Sequence, residues 1–227
     1  MKSPKALFSQ ETFKFFREVG RNNHKEWMDA NRERYRAHVV EPFRRLLESL
    51  TPAVLALDDE FDVSGRTGRN FSRINRDIRF SKDKSPYRTQ MYLMFSSARF
   101  DAPSDGQIYV GVSPEAVTAG FRIYGTGGDS RLARVGIGRA TANPRWVAQQ
   151  ARRLGRRYES YWYTSEKGDW IKHDGWPASS DDWKRMKGWI VRRRMKSSEA
   201  LRPGFATEVR KVFREVFPLY EKMCSPE

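Results

Sequence analysis

Residues 73–88 combine basic and acidic side chains more densely than any neighbouring stretch. Six of these sixteen residues are arginine or lysine and two are aspartate, so this charged segment carries a net charge of +4. A guanidinium group is planar and can hold a phosphate or carboxylate through two parallel hydrogen bonds. We therefore predict that the charged segment binds an anion. The candidate contacts are Arg73, Arg76, Arg79, Lys82 and Lys84.

Two further side chains of the charged segment could complete such a site. Asp77 could orient the arginines, because guanidinium groups close together repel one another unless a carboxylate separates them. Pro86 fixes the chain before Tyr87, whose ring can pack while its hydroxyl forms a hydrogen bond. The same residues could instead form ion pairs within the chain and bind no ligand, which would make the segment a structural staple.

A second group of polar residues lies earlier in the chain, at the start of a predicted helix. Trp27 and Asn31 are four residues apart and would share one helical face, with Arg32 beside them. Trp27 could simply pack into the core. A buried amide at Asn31 would need hydrogen-bond partners, and the charged segment could supply them. We therefore include Trp27, Asn31 and Arg32 among the candidate ligand-binding residues.

Together the two segments resemble a known family. The run RINRDIRFSKDKSPYR at residues 73–88 is similar to the hallmark of the bacterial and fungal family catalogued as domain of unknown function 2461. The run NNHKEWMDANR at residues 22–32 resembles that family's second motif, with Met28 where phenylalanine is more usual. The resemblance is strongest over residues 8–125, and residues 168–177 replace the family's Pro-Lys-Gly-Phe segment. It implies an α+β domain over nearly the whole chain and implies no activity.

Composition indicates the sign of the charge that a partner should carry. The net charge is +15 and the isoelectric point is near 10.1, so the surface attracts polyanions. We expect a phosphate-bearing small molecule or nucleic acid, although a generally basic proteome would produce the same excess. The single cysteine, Cys224, fits a reducing compartment. The first residues lack the apolar core of a signal peptide, and no run approaches the roughly 20 apolar residues of a membrane span. We expect a cytoplasmic protein without membrane insertion.

Other potential sites are weaker. The glycine-rich residues 125–130 could present backbone N–H groups to an anion. The basic residues 192–196, near Trp183 and Trp189, could form a second basic face for single-stranded nucleic acid. The histidines are scattered, and no Cys, His or Asp cluster has the spacing of metal ligands. We expect neither a metal nor a cofactor.

The pattern of elements indicates how these residues are positioned. Hydrophobic periodicity predicts helices over residues 10–19 and 24–40, then further helices beginning at Pro42 and Thr51. Three strands and two further helices follow. Residues 159–180 read as irregular, a strand begins at Trp189, and a final helix ends at Pro218. We predict an α+β fold: N-terminal helices, a central, mostly antiparallel sheet and C-terminal helices in one domain over residues 1–227.

Two functions fit these features. The first is a binding module. Its helical motif (residues 22–32) and its charged segment form one pocket for a phosphate-bearing ligand. The second is an enzyme acting on a small phosphorylated or carboxylated substrate, with Asp77 or Tyr87 in acid–base chemistry. An enclosed pocket would favour the enzyme, and an open basic surface would favour nucleic acid.

Overall fold

A computed structural model of the chain describes residues 6–79, 81–97, 106–124, 131–167 and 169–224. Backbone contacts divide the chain into two compact units. The first unit comprises Met1–Phe95, Val110–Thr118 and Met195–Arg210. The second comprises Ser96–Tyr109, Ala119–Arg194 and Lys211–Glu227. The prediction that residues 1–227 form one domain stays a prediction.

The first unit begins with helices that bury an aromatic core. They are α1 (Gln10–Arg21), α2 (Lys25–Ala30), α3 (Arg32–Tyr35), a π-helical turn (Arg36–Val40) and α4 (Glu41–Leu55). Phe8 packs edge-to-face on Phe43 and Phe205, with ring centroids 5.3 and 5.7 Å apart. The helix predicted to begin at Pro42 is α4, and its apolar face, which includes Phe43, Leu46 and Leu50, is buried.

Two of the predictions for the N-terminal helices are wrong. The single helix expected over residues 24–40 is interrupted at Asn31, whose side chain competes for the backbone by donating to the Trp27 carbonyl. No helix begins at Thr51, because α4 continues through Pro52 to Leu55. Burial of Val54 on the α4 apolar face offsets the hydrogen bond that the proline cannot donate.

Six strands form one antiparallel sheet in the order β1-β2-β3-β6-β4-β5. They are β1 (Met91–Phe95), β2 (Gly106–Val112), β3 (Val117–Tyr124), β4 (Glu159–Glu166), β5 (Asp169–Asp174) and β6 (Gly188–Met195). Strand β4 pairs antiparallel with both β5 and β6. The interpretation of residues 159–180 as irregular is therefore wrong. Aromatic residues occupy both faces of β4, so the alternation that marks a half-buried strand is missing from the sequence.

The remaining helices complete the α+β class that was predicted. They are α5 (Arg131–Thr141), α6 (Pro144–Leu154), α7 (Ser180–Arg185), α8 (Ser197–Ala200) and α9 (Phe205–Cys224). The final helix does not end at Pro218, because Leu219, Tyr220 and Met223 beyond it are buried and hold the last turns in place. The helices within the described residues are all too short or too polar to cross a bilayer.

Candidate anion-binding site

The charged segment forms a hairpin in the first unit. Arg76 N donates to Pro86 O at 2.8 Å, and Arg88 N donates to Ile74 O at 2.8 Å. Between them Asn75 and Tyr87 form an antiparallel bridge. These bonds close residues 77–85 into a loop whose ends are fixed to each other. Phe80, which belongs to this loop, lies outside the described residues.

Asn23 attaches this hairpin to the helical motif. Its Nδ2 donates to Tyr87 O at 2.9 Å, and its Oδ1 accepts from Tyr87 N at 2.9 Å. The ring of Tyr87 is only 6% exposed. His24 is the N-cap of α2, and its Nδ1 accepts from Trp27 N, so Asn23 is left to bond the hairpin. Asn23 is therefore a site residue that was not among the predicted contacts.

Both carboxylates of the charged segment have partners within it. Asp83 accepts from Ser85 N at 2.9 Å and pairs with Arg76, which also donates to Ser85 O at 3.2 Å. The Ser85 hydrogen bond and the Arg76 guanidinium lower the pKa of Asp83 to about 2. Asp77 accepts from Arg79 Nη2 at 2.7 Å, and this arginine lowers the pKa of Asp77 to about 2. Asp77 and Asp83 are therefore charged at neutral pH.

Four cations of the charged segment have no carboxylate partner within the described residues. They are Arg73, Lys82, Lys84 and Arg88, and all four are exposed. Lys84 Nζ donates to Ile78 O at 3.0 Å, and this bond positions the ammonium group without neutralising it. The net charge of +4 thus belongs to side chains that face solvent. Arg88 was not among the predicted contacts, although it is the last residue of the same sequence motif.

A depression of about 330 Å³ lies beside the hairpin. Arg76 and Arg88 line it together with the already paired Asp83 and with Asn23. The remaining lining residues are Gly20, Ser85, Tyr87, Thr89 and Gln90. Hydroxyl, amide and guanidinium groups therefore surround this depression, and such groups suit a charged or strongly polar ligand.

The other predicted residues of the helical motif have their partners among the helices. Asn31 Nδ2 donates to Trp27 O at 2.9 Å, and its Oδ1 accepts from Arg34 Nη1 at 2.8 Å. The Trp27 ring packs on Phe15 with centroids 5.6 Å apart. Arg32 forms an exposed ion pair with Asp29. The charged segment thus supplies none of the partners of Asn31, and of the predicted helical residues none lines the depression.

A buried polar group supports the loop that leads into the charged segment. Asn70 is 1% exposed, and its Nδ2 donates to Asp62 O and Met94 O at 2.6 and 3.1 Å. Burial raises the pKa of Asp62, but hydrogen bonds from Ser64, Arg69 and Arg66 outweigh it and lower the value to about 2. These residues were not predicted from the sequence, because an Asn or Asp that becomes buried in a loop has the same local sequence signal as one that stays in solvent.

Two weaker sites were predicted from the sequence, at residues 125–130 and at residues 192–196. Residues 125–130 lie outside the described residues. In the second predicted basic face, the expected stacking on Trp183 and Trp189 is wrong, because both indoles are buried and Trp189 Nε1 donates to Ser160 Oγ at 2.9 Å. Neither ring is available for stacking. Binding by residues 192–196 stays a prediction. Across the ranges that the structure covers, no three His, Cys, Asp or Glu side chains form a group suited to a metal ion.

Comparison with known proteins places the motifs in a family. The model of the family described as "Conserved hypothetical protein (DUF2461)" matches residues 11–221. The match includes both the helical motif and the charged segment. A search of curated proteins gives no match.

Proposed function

The chain belongs to the DUF2461 family, whose description states no activity, and we propose from the charged segment that it is a binding module for the phosphate backbone of nucleic acid. Lys82, Lys84 and Arg88 are the principal phosphate contacts, with Arg73 at the base of the hairpin. The observation that carries this proposal is the division of charges within the segment. Both carboxylates pair internally, and four exposed cations remain.

The internal ion pairs have a different role from the one we expected of their arginines. Arg76 and Arg79 are paired with Asp83 and Asp77. We therefore assign Arg76 to holding the hairpin closed. The staple alternative accordingly applies to these pairs, whereas the exposed cations contact the ligand. A fixed loop loses little conformational entropy when its cations meet a phosphate, which favours binding.

The placement of the cations favours an extended ligand. Lys82, Lys84 and Arg88 are exposed on a hairpin, and Arg88 lines the depression beside it whereas the two lysines do not. Arg21 and Lys25, on either side of Asn23 in the sequence, are exposed as well and add to the positive charge of the first unit. Cations distributed over a surface attract a polyanion from a distance and contact its backbone. Because phosphate contacts carry no sequence information, binding is sequence-independent.

Acid–base catalysis receives less support from the same residues. A general base works best when its pKa lies near the operating pH. The pKa of Asp77 is about 2, because Arg79 holds the carboxylate in its charged form. Asp77 is therefore a weak base at neutral pH, which favours binding over the enzymatic alternative.

Fluorescence anisotropy with labelled single-stranded RNA and DNA tests the proposal. We expect wild-type protein to bind both at low salt, with a log–log salt slope of about −0.7 per phosphate contacted on a single strand. The double variant Lys82→Gln/Arg88→Gln should lose most of this affinity. The control Arg152→Gln/Arg156→Gln removes the same charge from exposed arginines of the second unit and should bind as wild type. Absence of binding by the wild type at low salt, or equal losses in both double variants, would exclude the proposal.

A further inference from the structure

A second depression of the first unit lies next to the π-helical turn. Its volume is about 420 Å³, within the range of roughly 300–1,000 Å³ that is typical of small-molecule sites. Unlike the depression lined by Arg76 and Arg88, it has both an apolar and a polar part. Its lining residues come from the helices, from the loop before the charged segment and from the first residues of that segment.

The apolar part forms a continuous surface. Phe71 and Met91, both buried, lie beside the half-buried Val40 and Ile74. Tyr35 adds an aromatic wall, and its ring is held by Phe15 with centroids 5.7 Å apart. A flat or apolar group placed here would leave water for an apolar environment, which favours binding.

The polar part includes four side chains without hydrogen-bond partners in the described part of the chain, beside Ser72 and Arg44, which have them. The hydroxyls of Tyr35 and Thr67, the amide of Asn75 and the guanidinium of Arg73 line the depression, and none has a hydrogen-bond partner among the residues described. By contrast, both amide atoms of Asn23, Asn31 and Asn70 are bonded. Burial raises the pKa of Tyr35, so its hydroxyl stays neutral and can donate.

The frame around these groups is rigid and locally unusual. The positive φ angles of Gly65 (71°) and Gly68 (89°) shape the loop, and Asn70 Oδ1 accepts from Gly65 N at 2.8 Å. A Cβ atom at Gly68 would lie 3.9 Å from Arg73 Nε and Nη2, so the guanidinium lies against this glycine. The lining also includes Val40, the last residue of the π-helical turn, and such turns occur frequently at functional sites.

We propose that this depression binds a small molecule with a flat apolar body and one anionic group, of which an aryl phosphate is the simplest example. The body lies on Val40, Phe71 and Met91, and the anion meets Arg73. Tyr35, Thr67 and Asn75 hydrogen-bond polar substituents of the ligand. Arg44 lines the same depression and pairs with Glu41 at 3.4 Å, so Arg73 is the cation left for the anionic group. The site does not depend on the nucleic-acid function and shares only Arg73 with it.

Isothermal titration with phenyl phosphate, inorganic phosphate and phenol tests whether both parts of the depression are used. We expect phenyl phosphate to bind at least about tenfold more tightly than either of the other two, a difference of about 1.4 kcal/mol. Phenyl phosphate binding no tighter than inorganic phosphate would overturn the proposal, because the apolar surface would then contribute nothing.

Two variants locate the binding. Thr67→Trp adds bulk to an exposed lining residue and should abolish phenyl phosphate binding while leaving oligonucleotide binding intact. Arg73→Gln should reduce phenyl phosphate affinity at least about tenfold, and the control Arg17→Gln, which removes an exposed charge of α1, should not. The assignment would be overturned if Thr67→Trp bound phenyl phosphate as tightly as the wild type. It would also be overturned if Arg17→Gln lost as much phenyl phosphate affinity as Arg73→Gln. Circular dichroism checks that each variant is folded.

Discussion

The side chain of Asn23 hydrogen-bonds both backbone groups of Tyr87, donating to its carbonyl and accepting from its N–H at 2.9 Å in each case. An asparagine amide used in this way occupies the place that a neighbouring β-strand would take. The contact joins the helical motif to the hairpin across 64 positions of sequence. It explains physically why two polar motifs far apart in the chain belong to one structural feature.

Replacing Asn23 by alanine should destabilise the first unit and loosen the hairpin. Two partly buried hydrogen bonds are lost, and each typically contributes about 0.5–1.5 kcal/mol, so we expect a decrease of about 1–3 kcal/mol in the free energy of unfolding. Urea denaturation measures this change. The matched control is Asn22→Ala, which removes a single bond to Glu18 O within the helical motif and should cost less. Equal effects of the two substitutions would contradict the role we assign to Asn23.

The two ion pairs of the charged segment should differ in importance. The Arg76 side chain is 22% exposed and joins Asp83 to the Ser85 carbonyl, whereas the Arg79 side chain is 76% exposed and pairs with a neighbour two residues away. Exposed pairs contribute little because water screens them. We expect Arg76→Ala to lower the urea midpoint measurably and Arg79→Ala to leave it unchanged. The reverse order would show that Arg76 does not hold the hairpin closed.

Asp62 should make stability depend on pH in the acid range. Its pKa is about 2 in the folded protein against an ordinary value of 3.8, so between these values the unfolded chain binds more protons. The stability that Asp62 provides is therefore complete above the ordinary value and is lost as the pH falls towards 2. Asp62→Asn should cost about 1–3 kcal/mol at neutral pH, because Arg66 and Arg69 lose a charged acceptor.

Denaturation of wild type and Asp62→Asn at a series of pH values checks this prediction. The difference between the two proteins should narrow as the pH is lowered, since protonation removes the same charge from the wild type that the substitution has already removed. Asp181→Asn is a suitable control, because Asp181 is exposed and pairs with Lys184 on the surface. A difference between wild type and Asp62→Asn that stays constant from neutral to acid pH would contradict the prediction.

The elements that sequence analysis predicted well are those whose apolar pattern is local. The α4 face follows from its helical spacing, and β1 follows from an unbroken apolar run in which four of the five residues are buried. Strands β4 and β5 were missed since aromatic residues on both faces of β4 hide the alternation, and Pro218 was mistaken for a helix end since its cost is offset by packing beyond it. Tertiary contacts decided these cases, and a single sequence does not contain them.

The sequence predicts which segment forms the candidate site. It does not predict which of its charged side chains pair with each other and which stay free for a ligand. The density of arginine and lysine identified the charged segment. The same sequence is compatible with arginines that bind a ligand and with arginines that pair with Asp77 and Asp83. Only the fold determines which cations pair: Arg76 comes to lie beside Asp83 because residues 74–76 bond to residues 86–88. The buried pair Asp62 and Asn70 left no sequence signal, because its members become partners only when the loop closes.

Single neutralisations of Lys82 and Arg88 should each remove one phosphate contact. Lys82→Gln and Arg88→Gln should weaken binding by a similar factor for single-stranded RNA and DNA of any sequence, and each should reduce the magnitude of the salt slope by about 0.7. Anisotropy titrations at several salt concentrations give these slopes. Arg156→Gln removes an exposed charge of the second unit and should leave the slope unchanged. If the variants lose affinity for one sequence only, or keep the wild-type slope, these side chains contact bases or nothing at all, and the phosphate assignment is wrong.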